Sequence, residues 1–282
     1  MLVETSPSAT RREVRTARQQ GLSIGCVPTM GALHAGHVSL IDAARQQCDF
    51  VVATIFVNPT QFGPGEDFLK YPRTLDADLE MCRVAGANLV FTPPVTAMYA
   101  DSAQTIVRVT KLAQVLEGAH RPGHFDGVST VVTKLFNTTE PDRAYFGQKD
   151  YQQQLIIRQM AADLDQPVEI VTCPIIREPD GLAMSSRNRY LSPHDRQLAS
   201  RIFQALKLAE QLAAESPLPP TEIAWAMTNH LNSVDGIAVQ YAVIADPVTL
   251  EPLADRSDSA VALIAAKIGA TRLIDNQILR FR

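Results

Sequence analysis

Along residues 1–176, short apolar runs alternate with longer segments whose apolar residues recur at helical spacing. SIGCVPT (23–29) is a brief apolar run cut off by Pro28, and HVSLIDAARQQC (37–48) sets apolar or small residues on one helical face. FVVATIFV (50–57) is the continuous, β-branched kind of run that a parallel sheet buries. Together these three segments predict β-α-β. The pattern then repeats as a helix over 75–85, a strand at NLVF (88–91), a helix over 128–136, a strand at AYFG (144–147), a helix over 151–164 and a last strand within PVEIVTCPII (167–176). Ahead of all of them, residues 10–20 read as a short polar helix stopped by Gly21. Strands alternating with helices predict an α/β fold built on a doubly wound parallel sheet, which offers ligands the carboxyl ends of its strands.

The pattern changes after Leu191. Two long helical stretches (193–214 and 221–232), joined by the proline-rich ESPLPP, precede three strand-like runs, IAVQYAVI, SAVALIAAKI and TRLIDNQIL; Gly269 and Ala270 alone separate the last two, in a predicted hairpin. A smaller C-terminal α+β domain is expected, with its boundary near residues 175–190, dividing the chain into 1–182 and 183–282. A chain of 282 residues with 46% hydrophobic content is long enough for two adjoining cores. The 26 basic against 30 acidic residues give a net charge of -4 with no run of Lys or Arg, so neither nucleic acid nor a membrane surface is an expected partner. The stretch MLVETSPSATRREVR lacks the basic-then-apolar pattern of a secretion signal, and the longest apolar run falls far short of a bilayer span. Cys26, Cys48, Cys82 and Cys173 lie far apart without C-x-x-C spacing and read as buried thiols, which favours a cytoplasmic location.

The densest candidate chemistry lies at the first strand-to-helix turn, PTMGALHAGH (28–37). His34 and His37 there admit a metal pair, an acid/base pair, or residues that merely start a helix. A metal site requires further ligands, and no third histidine or H-E-x-x-H pattern follows. The location suits an anion better. Unpaired N–H groups and the positive end of the helix dipole gather at such a turn, Gly31 and Gly36 permit close approach of backbone to ligand, and imidazoles can donate to phosphate oxygens.

HAGH after a first strand resembles the HxGH signature of the nucleotidylyltransferase and class I aminoacyl-tRNA synthetase superfamily. More narrowly, VPTMGALHAGH, IFVNPTQFGPGEDF, YPRT, HRPGHFDGVSTVVTKLF, FGQKDYQQ and MSSRNRYLS occur in the order and near the spacing of the pantothenate synthetase (pantoate–β-alanine ligase) family. The resemblance covers residues 20–195 densely. It implies a Rossmann-like sheet, ATP-dependent condensation of (R)-pantoate with β-alanine through a pantoyl adenylate, release of AMP and pyrophosphate, and a homodimer whose C-terminal domain forms a lid. It also implies that Met30, Gly31, Ala32, Leu33, Ala35 and Gly36 hold ATP by backbone donors around His34 and His37. Gly147, Gln148 and Ile176 are further implied nucleotide contacts.

Each remaining segment has a place in that chemistry. Lys149 follows the AYFG strand, where an ammonium would hold phosphate charge as pyrophosphate leaves; outside that context a loop lysine is a solvated charge. Asp150 is either the N-cap of the following helix or a nucleotide ligand. Met184, Ser185, Ser186 and Arg187 combine two hydroxyls with a guanidinium, a composition suited to triphosphate oxygens and equally to a plain linking turn. By resemblance Gln61 contacts pantoate beside the β-alanine position and Gln153 contacts pantoate, and neutral amides suit a polar hydroxyacid. Arg121 and His124 are candidates near pantoate or a closing loop, and GEDF looks like a mobile flap. Asp78 is a candidate Mg2+-side carboxylate, with a first-turn helix position as its structural alternative; Mg2+ itself is expected with ATP. Gln148, Thr60 and the additional glutamine of YQQQL depart from the family pattern. Whether His37 also moves a proton stays open.

Overall fold

The β-branched runs pair in parallel, and their near-continuous apolar character follows from burial on both sheet faces. A computed structural model describes residues 1–281. In chain order the elements are β1 (Leu2–Glu4), α1 (Pro7–Gln19), β2 (Ile24–Thr29), α2 (Ala35–Gln47), β3 (Phe50–Ile55), α3 (Leu75–Val84), β4 (Leu89–Phe91), α4 (Val95–Met98), α5 (Glu117–His120), α6 (His124–Thr139), β5 (Arg143–Gly147), α7 (Tyr151–Asp163) and β6 (Glu169–Cys173). There follow α8 (Pro193–Glu215), α9 (Pro220–Asn232), β7 (Ile237–Ala245), β8 (Ala260–Ile268) and β9 (Thr271–Leu279). The chain divides into two compact units: Met1–Gln148 with Gln152–Pro174, and Lys149–Tyr151 with the chain from Ile175 onward.

In the first unit six strands lie in the order β1-β4-β3-β2-β5-β6, with every pairing parallel. Successive residues of β2 point to opposite faces, so Cys26 packs with Val14, Val52, Phe91 and Phe136 while Val27 packs with Ile41, Val51, Val90 and Tyr145. The order reverses at β2, between β3 and β5. There the pairing is unequal: β2 and β3 run together from Ile24↔Phe50 to Thr29↔Ile55, whereas β2 and β5 pair only at Gly25↔Arg143 and Cys26↔Ala144. Beyond those residues β2 and β5 part, and the sheet is open at its carboxyl edge where a doubly wound fold takes its ligand.

The second unit stacks α8 and α9 on an antiparallel sheet of order β7-β8-β9, with Ile202, Leu206, Ile223, Met227, Ile264 and Ile268 in its core. Gly269 turns β8 into β9 as the hairpin pattern predicts.

Three features differ from the sequence reading. β1 was not anticipated: LVE is too short to show a period, and it becomes a strand only by pairing Leu2–Glu4 with Leu89–Phe91 at the sheet edge. α6 begins at His124 rather than at residue 128, because Gly123 takes a left-handed conformation (φ 82) that lets the helix start directly behind Pro122. The chain enters the second unit at Ile175, at the near end of the 175–190 stretch, and the unexpected part is that this unit also claims Lys149–Tyr151. All four cysteines are buried and free. Among the described residues no helix is long and apolar enough to cross a membrane.

Candidate functional site

The loop after β2 leads into the open edge of the sheet and takes a high-energy backbone path. Gly31 has φ 81, and a Cβ there would meet the Asp78 carboxylate at 3.0 Å and Ile55 at 3.1 Å. Ala32 follows with φ 51, a left-handed conformation that costs an L-residue about 1–2 kcal/mol. Side chains brought from elsewhere hold this path. Thr29 Oγ1 donates to the Thr54 carbonyl (2.6 Å) and accepts the Gly31 N–H (3.2 Å). Asp78, 2% exposed on α3, accepts the Ala32 N–H at Oδ2 (2.9 Å) and the Leu33 N–H at Oδ1 (2.8 Å), with Thr74 Oγ1 donating to Oδ1 at 3.2 Å.

These bonds bear on two expectations. Asp78, expected beside Mg2+, has both carboxylate oxygens engaged by loop donors and acts as the loop's anchor. The backbone N–H groups of Gly31, Ala32 and Leu33, expected to hold the nucleotide, are already engaged by Thr29 and Asp78. What this loop offers an anion is therefore the helix end and the imidazoles.

His34 is the N-cap of α2 with extended backbone (φ -147), and its Nδ1 accepts the Gly36 N–H at 3.1 Å. His37, in the first turn, reciprocates: its Nδ1 accepts the His34 N–H at 3.3 Å, a capping box with imidazoles in place of the usual hydroxyl and carboxylate. The rings lie 4.1 Å apart, centroid to centroid. A nitrogen that accepts an N–H bond carries no proton, so each ring is in its neutral form with the proton on Nε2. Both histidines thus present Nε2–H donors at the positive end of α2. Among the described residues no group of three or more His, Cys, Asp or Glu forms a metal cluster.

Gln61 lies next to this loop, 7% exposed at the end of a 3-10 turn (Pro59–Gln61) that Asn58 caps. Its Nε2 donates to the Met30 sulfur (3.0 Å) and its Oε1 accepts from Asn58 Nδ2 (3.1 Å). Asn58 in turn donates to the Gly127 carbonyl (3.1 Å) and accepts from Tyr99 Oη (2.9 Å). α6 approaches so closely at Gly127 that a Cβ there would overlap the Thr60 carbonyl. Sequence reasoning missed Asn58, Tyr99 and Gly127; the only signal for Asn58 was its place as a turn-forming Asn before Pro59.

Behind Gln61 runs a chain of charge-assisted bonds. His124 Nδ1 donates to the Gln61 carbonyl (2.8 Å), which leaves Nε2 to accept from Arg121 Nη1 (3.0 Å). Arg121 holds both oxygens of Glu66 at 2.7 Å. Burial, followed by the Arg121 charge, pushes His124 down to about 4, so it is neutral. Burial opposes the Glu66 carboxylate, but Arg121 outweighs it and keeps the group below the usual carboxylate range.

Gln153 is half-buried in the first turn of α7. Its neighbours Gln152 and Gln154 are structural. Gln152 donates to the carbonyls of Leu112 (2.7 Å) and Val115 (2.8 Å) and accepts the Glu117 N–H (2.9 Å), while Gln154 Oε1 accepts from Thr172 Oγ1 (3.0 Å). The unexpected glutamine of YQQQL is therefore a buried tie between α7 and β6.

Lys149, Asp150, Ile176, Met184, Ser185, Ser186 and Arg187 belong to the second unit. Lys149 and Asp150 share the 3-10 turn Gln148–Asp150, with Nζ and Oδ1 at 3.8 Å. Ser185 caps another such turn, Ser186–Tyr190, by accepting the Arg187 N–H at 3.3 Å.

An open carboxyl edge facing a helix start lined with imidazole donors assigns the chain to the α/β proteins with an anion-binding strand-to-helix turn. Residues 2–278 match the model of the Pantoate-beta-alanine ligase family. A pantothenate synthetase from Moorella thermoacetica is 51% identical over 272 residues, covering 96% of each chain, and one from Rhodopirellula baltica is 50% identical over 98% of each. Among solved structures, pantothenate synthetase from Thermus thermophilus superposes with a TM-score of 0.94 at 44% identity, covering 98% of this chain and 99% of that one. Pantoate-beta-alanine ligase from Francisella tularensis, described as complexed with beta-gamma ATP and beta-alanine, gives 0.82 at 34% identity over 99% and 97%. The chain belongs to the pantoate–beta-alanine ligase family.

Proposed function

We propose that the chain joins (R)-pantoate to β-alanine at the expense of ATP, through a pantoyl adenylate. In the first step the pantoate carboxylate attacks the α-phosphorus and pyrophosphate leaves. In the second the β-alanine amine attacks the acyl carbon, AMP leaves with the C–O bond electrons, and the amine loses a proton to give the amide. The observation that carries this reading is the His34–His37 capping box at the open edge of the sheet. It supplies neutral Nε2–H donors for phosphate oxygens as charge moves to pyrophosphate, which is electrostatic stabilisation by prearranged groups. With its Nδ1 occupied by the His34 N–H, His37 is assigned the part of a hydrogen-bond donor rather than a base.

Gln61, fixed through Met30 and Asn58, is assigned to pantoate, and Gln153 is assigned to the same substrate. Lys149, Ser185 and Arg187 are assigned to phosphate charge, with Gly147, Gln148, Asp150, Ile176, Met184 and Ser186 bordering the nucleotide. Among the described residues no cluster of carboxylates stands ready for Mg2+, so the ion is proposed to arrive on ATP with phosphates and water as its ligands. We assign the enzyme to the cytoplasm and to a homodimer on the strength of the family.

AMP release measured with ATP, pantoate and β-alanine, each omitted in turn, tests the reading. It requires AMP release that depends strictly on β-alanine, and a His37→Ala variant slowed at least about a hundredfold. Pyrophosphate release with no β-alanine-dependent AMP would instead identify an adenylyltransferase, and full activity of His37→Ala would remove that residue from the chemistry.

A further inference from the structure

Three polar side chains of the second unit, the half-buried Arg177 and the buried Asp275 and Asn276, have no part in the chemistry assigned so far. β9 places Leu273 and Leu279 in the apolar core, yet Asp275 and Asn276 are 2% and 1% exposed. Burying two polar groups in succession is unfavourable unless each is fully hydrogen-bonded, so their partners reveal what they hold. Asn276 Nδ2 donates to the carbonyl of Lys149 at 3.0 Å, a contact across 127 positions of sequence. Asp275 forms a two-point pair with Arg177 (Nη1 to Oδ2 2.6 Å, Nη2 to Oδ1 3.1 Å), and its Oδ1 also accepts the Asn276 N–H at 2.8 Å.

Arg177 carries the connection further. Its guanidinium donates to the carbonyls of Gly181 (3.0 Å) and Asn276 (3.4 Å) and lies over the Phe203 ring at 4.3 Å. Arg177 and Ala183 pair antiparallel, and the Met184 N–H donates to the Ile176 carbonyl at 2.9 Å, closing a hairpin from which Ser185 directly emerges. Adjacent side chains of a strand point to opposite faces, so a single strand can reach two segments at once. One buried step of β9 therefore holds both the backbone of Lys149 and the root of the Ser185–Arg187 turn.

We propose that Asn276 is a positioning residue for Lys149, and that the Arg177–Asp275 pair fixes the hairpin leading to Ser185 and Arg187 on the same strand. This rests on the assignment of Lys149 to phosphate charge. A lysine ammonium sits on a flexible four-carbon stem, so it is located only as well as its backbone is. Lys149 lies in a short 3-10 turn whose own hydrogen bonds are geometrically poor, and an anchor from outside the turn sets where the stem begins. Group placement of this kind acts on turnover more than on ground-state affinity.

The test is a double-mutant cycle on the full chain, reading pantoate-dependent pyrophosphate release and melting temperature for Asn276→Ala, Lys149→Ala and the pair. Asn276→Ala is expected to lower kcat about ten- to a hundredfold with pantoate KM within about twofold, and the double variant to be no slower than Lys149→Ala alone. If the double variant loses the full Asn276→Ala factor beyond Lys149→Ala, Asn276 works independently of the lysine and the proposal is overturned while the lysine's assignment stands. If Lys149→Ala turns over at the wild-type rate, the phosphate assignment itself fails and takes the proposal with it. Should Asn276→Ala melt early, Asn276→Leu, which keeps the volume and loses the donor, is read in the same cycle with the same two outcomes.

Discussion

Arg121 grips Glu66 through two bonds of 2.7 Å, joining residues 55 positions apart and tying the loop after Gly63 to the start of α6. The side chains are only 15% and 25% exposed, so the pair is shielded from much of the solvent screening that weakens surface bridges. A charge-assisted bond of this kind contributes about 1.5–3 kcal/mol. Glu66→Gln keeps the shape and removes the charge. Amide exchange over residues 62–68 should then quicken by about tenfold or more while exchange in β2 and β3 is unchanged. Equal exchange in the two proteins would show that the loop is held by something else.

His124 makes stability depend on acid. Its folded value of about 4 lies below the ordinary 6.5, so the folded state resists a proton that the unfolded chain accepts. Above the ordinary value both states are neutral and nothing is lost. As pH falls from there toward the folded value, stability declines by about 1.4 kcal/mol per pH unit, reaching on the order of 3 kcal/mol. Denaturant unfolding of the wild type and His124→Asn, compared between about pH 7 and about pH 4.5, should show the shallower slope in the variant. Parallel slopes would remove His124 as the source.

Asp78 separates an anchor from a metal ligand. Asp78→Ala strips the acceptors from two buried N–H groups and leaves Ala32 in its left-handed conformation unsupported, so a loss of about 2–4 kcal/mol is expected together with activity. Asp78→Asn retains one acceptor and should fall between. A metal ligand would behave in the opposite way, with unchanged melting and a defect that added Mg2+ repairs.

Gly127→Ala probes how Gln61 is placed. The new methyl group overlaps the Thr60 carbonyl, so α6 and the 3-10 turn must separate. The cost of such overpacking is about 1–3 kcal/mol, and the shift carries Gln61 with it. Pantoate KM should rise several-fold while KM for ATP changes little; a stability loss with both KM values intact would confine the role of Gly127 to packing.

Much of the frame could be read along the chain because the signals were local. FVVATIFV and AYFG announce buried parallel strands by composition, and the position of HAGH between a strand and an amphipathic run locates the helix start where α2 begins. Side-chain roles that depend on distant partners could not be read this way. Nothing near Asp78 indicates that its oxygens meet Ala32 and Leu33, 46 and 45 positions away. LVE becomes β1 only through Leu89–Phe91, and Gly127 reads as an ordinary helix interior until the 3-10 turn before Gln61 is laid against it. The histidines were legible as residues, but their tautomer was not, since it follows from which backbone N–H each ring accepts.

The second unit is assembled from two stretches of chain, Lys149–Tyr151 and everything from Ile175, so its border is crossed three times. Such a unit is no cassette. A single splice near residue 175 would exchange the helices and the antiparallel sheet but leave behind the lysine that β9 anchors. An exchange of this unit therefore has to bring a β5-to-α7 connection that suits the incoming strand.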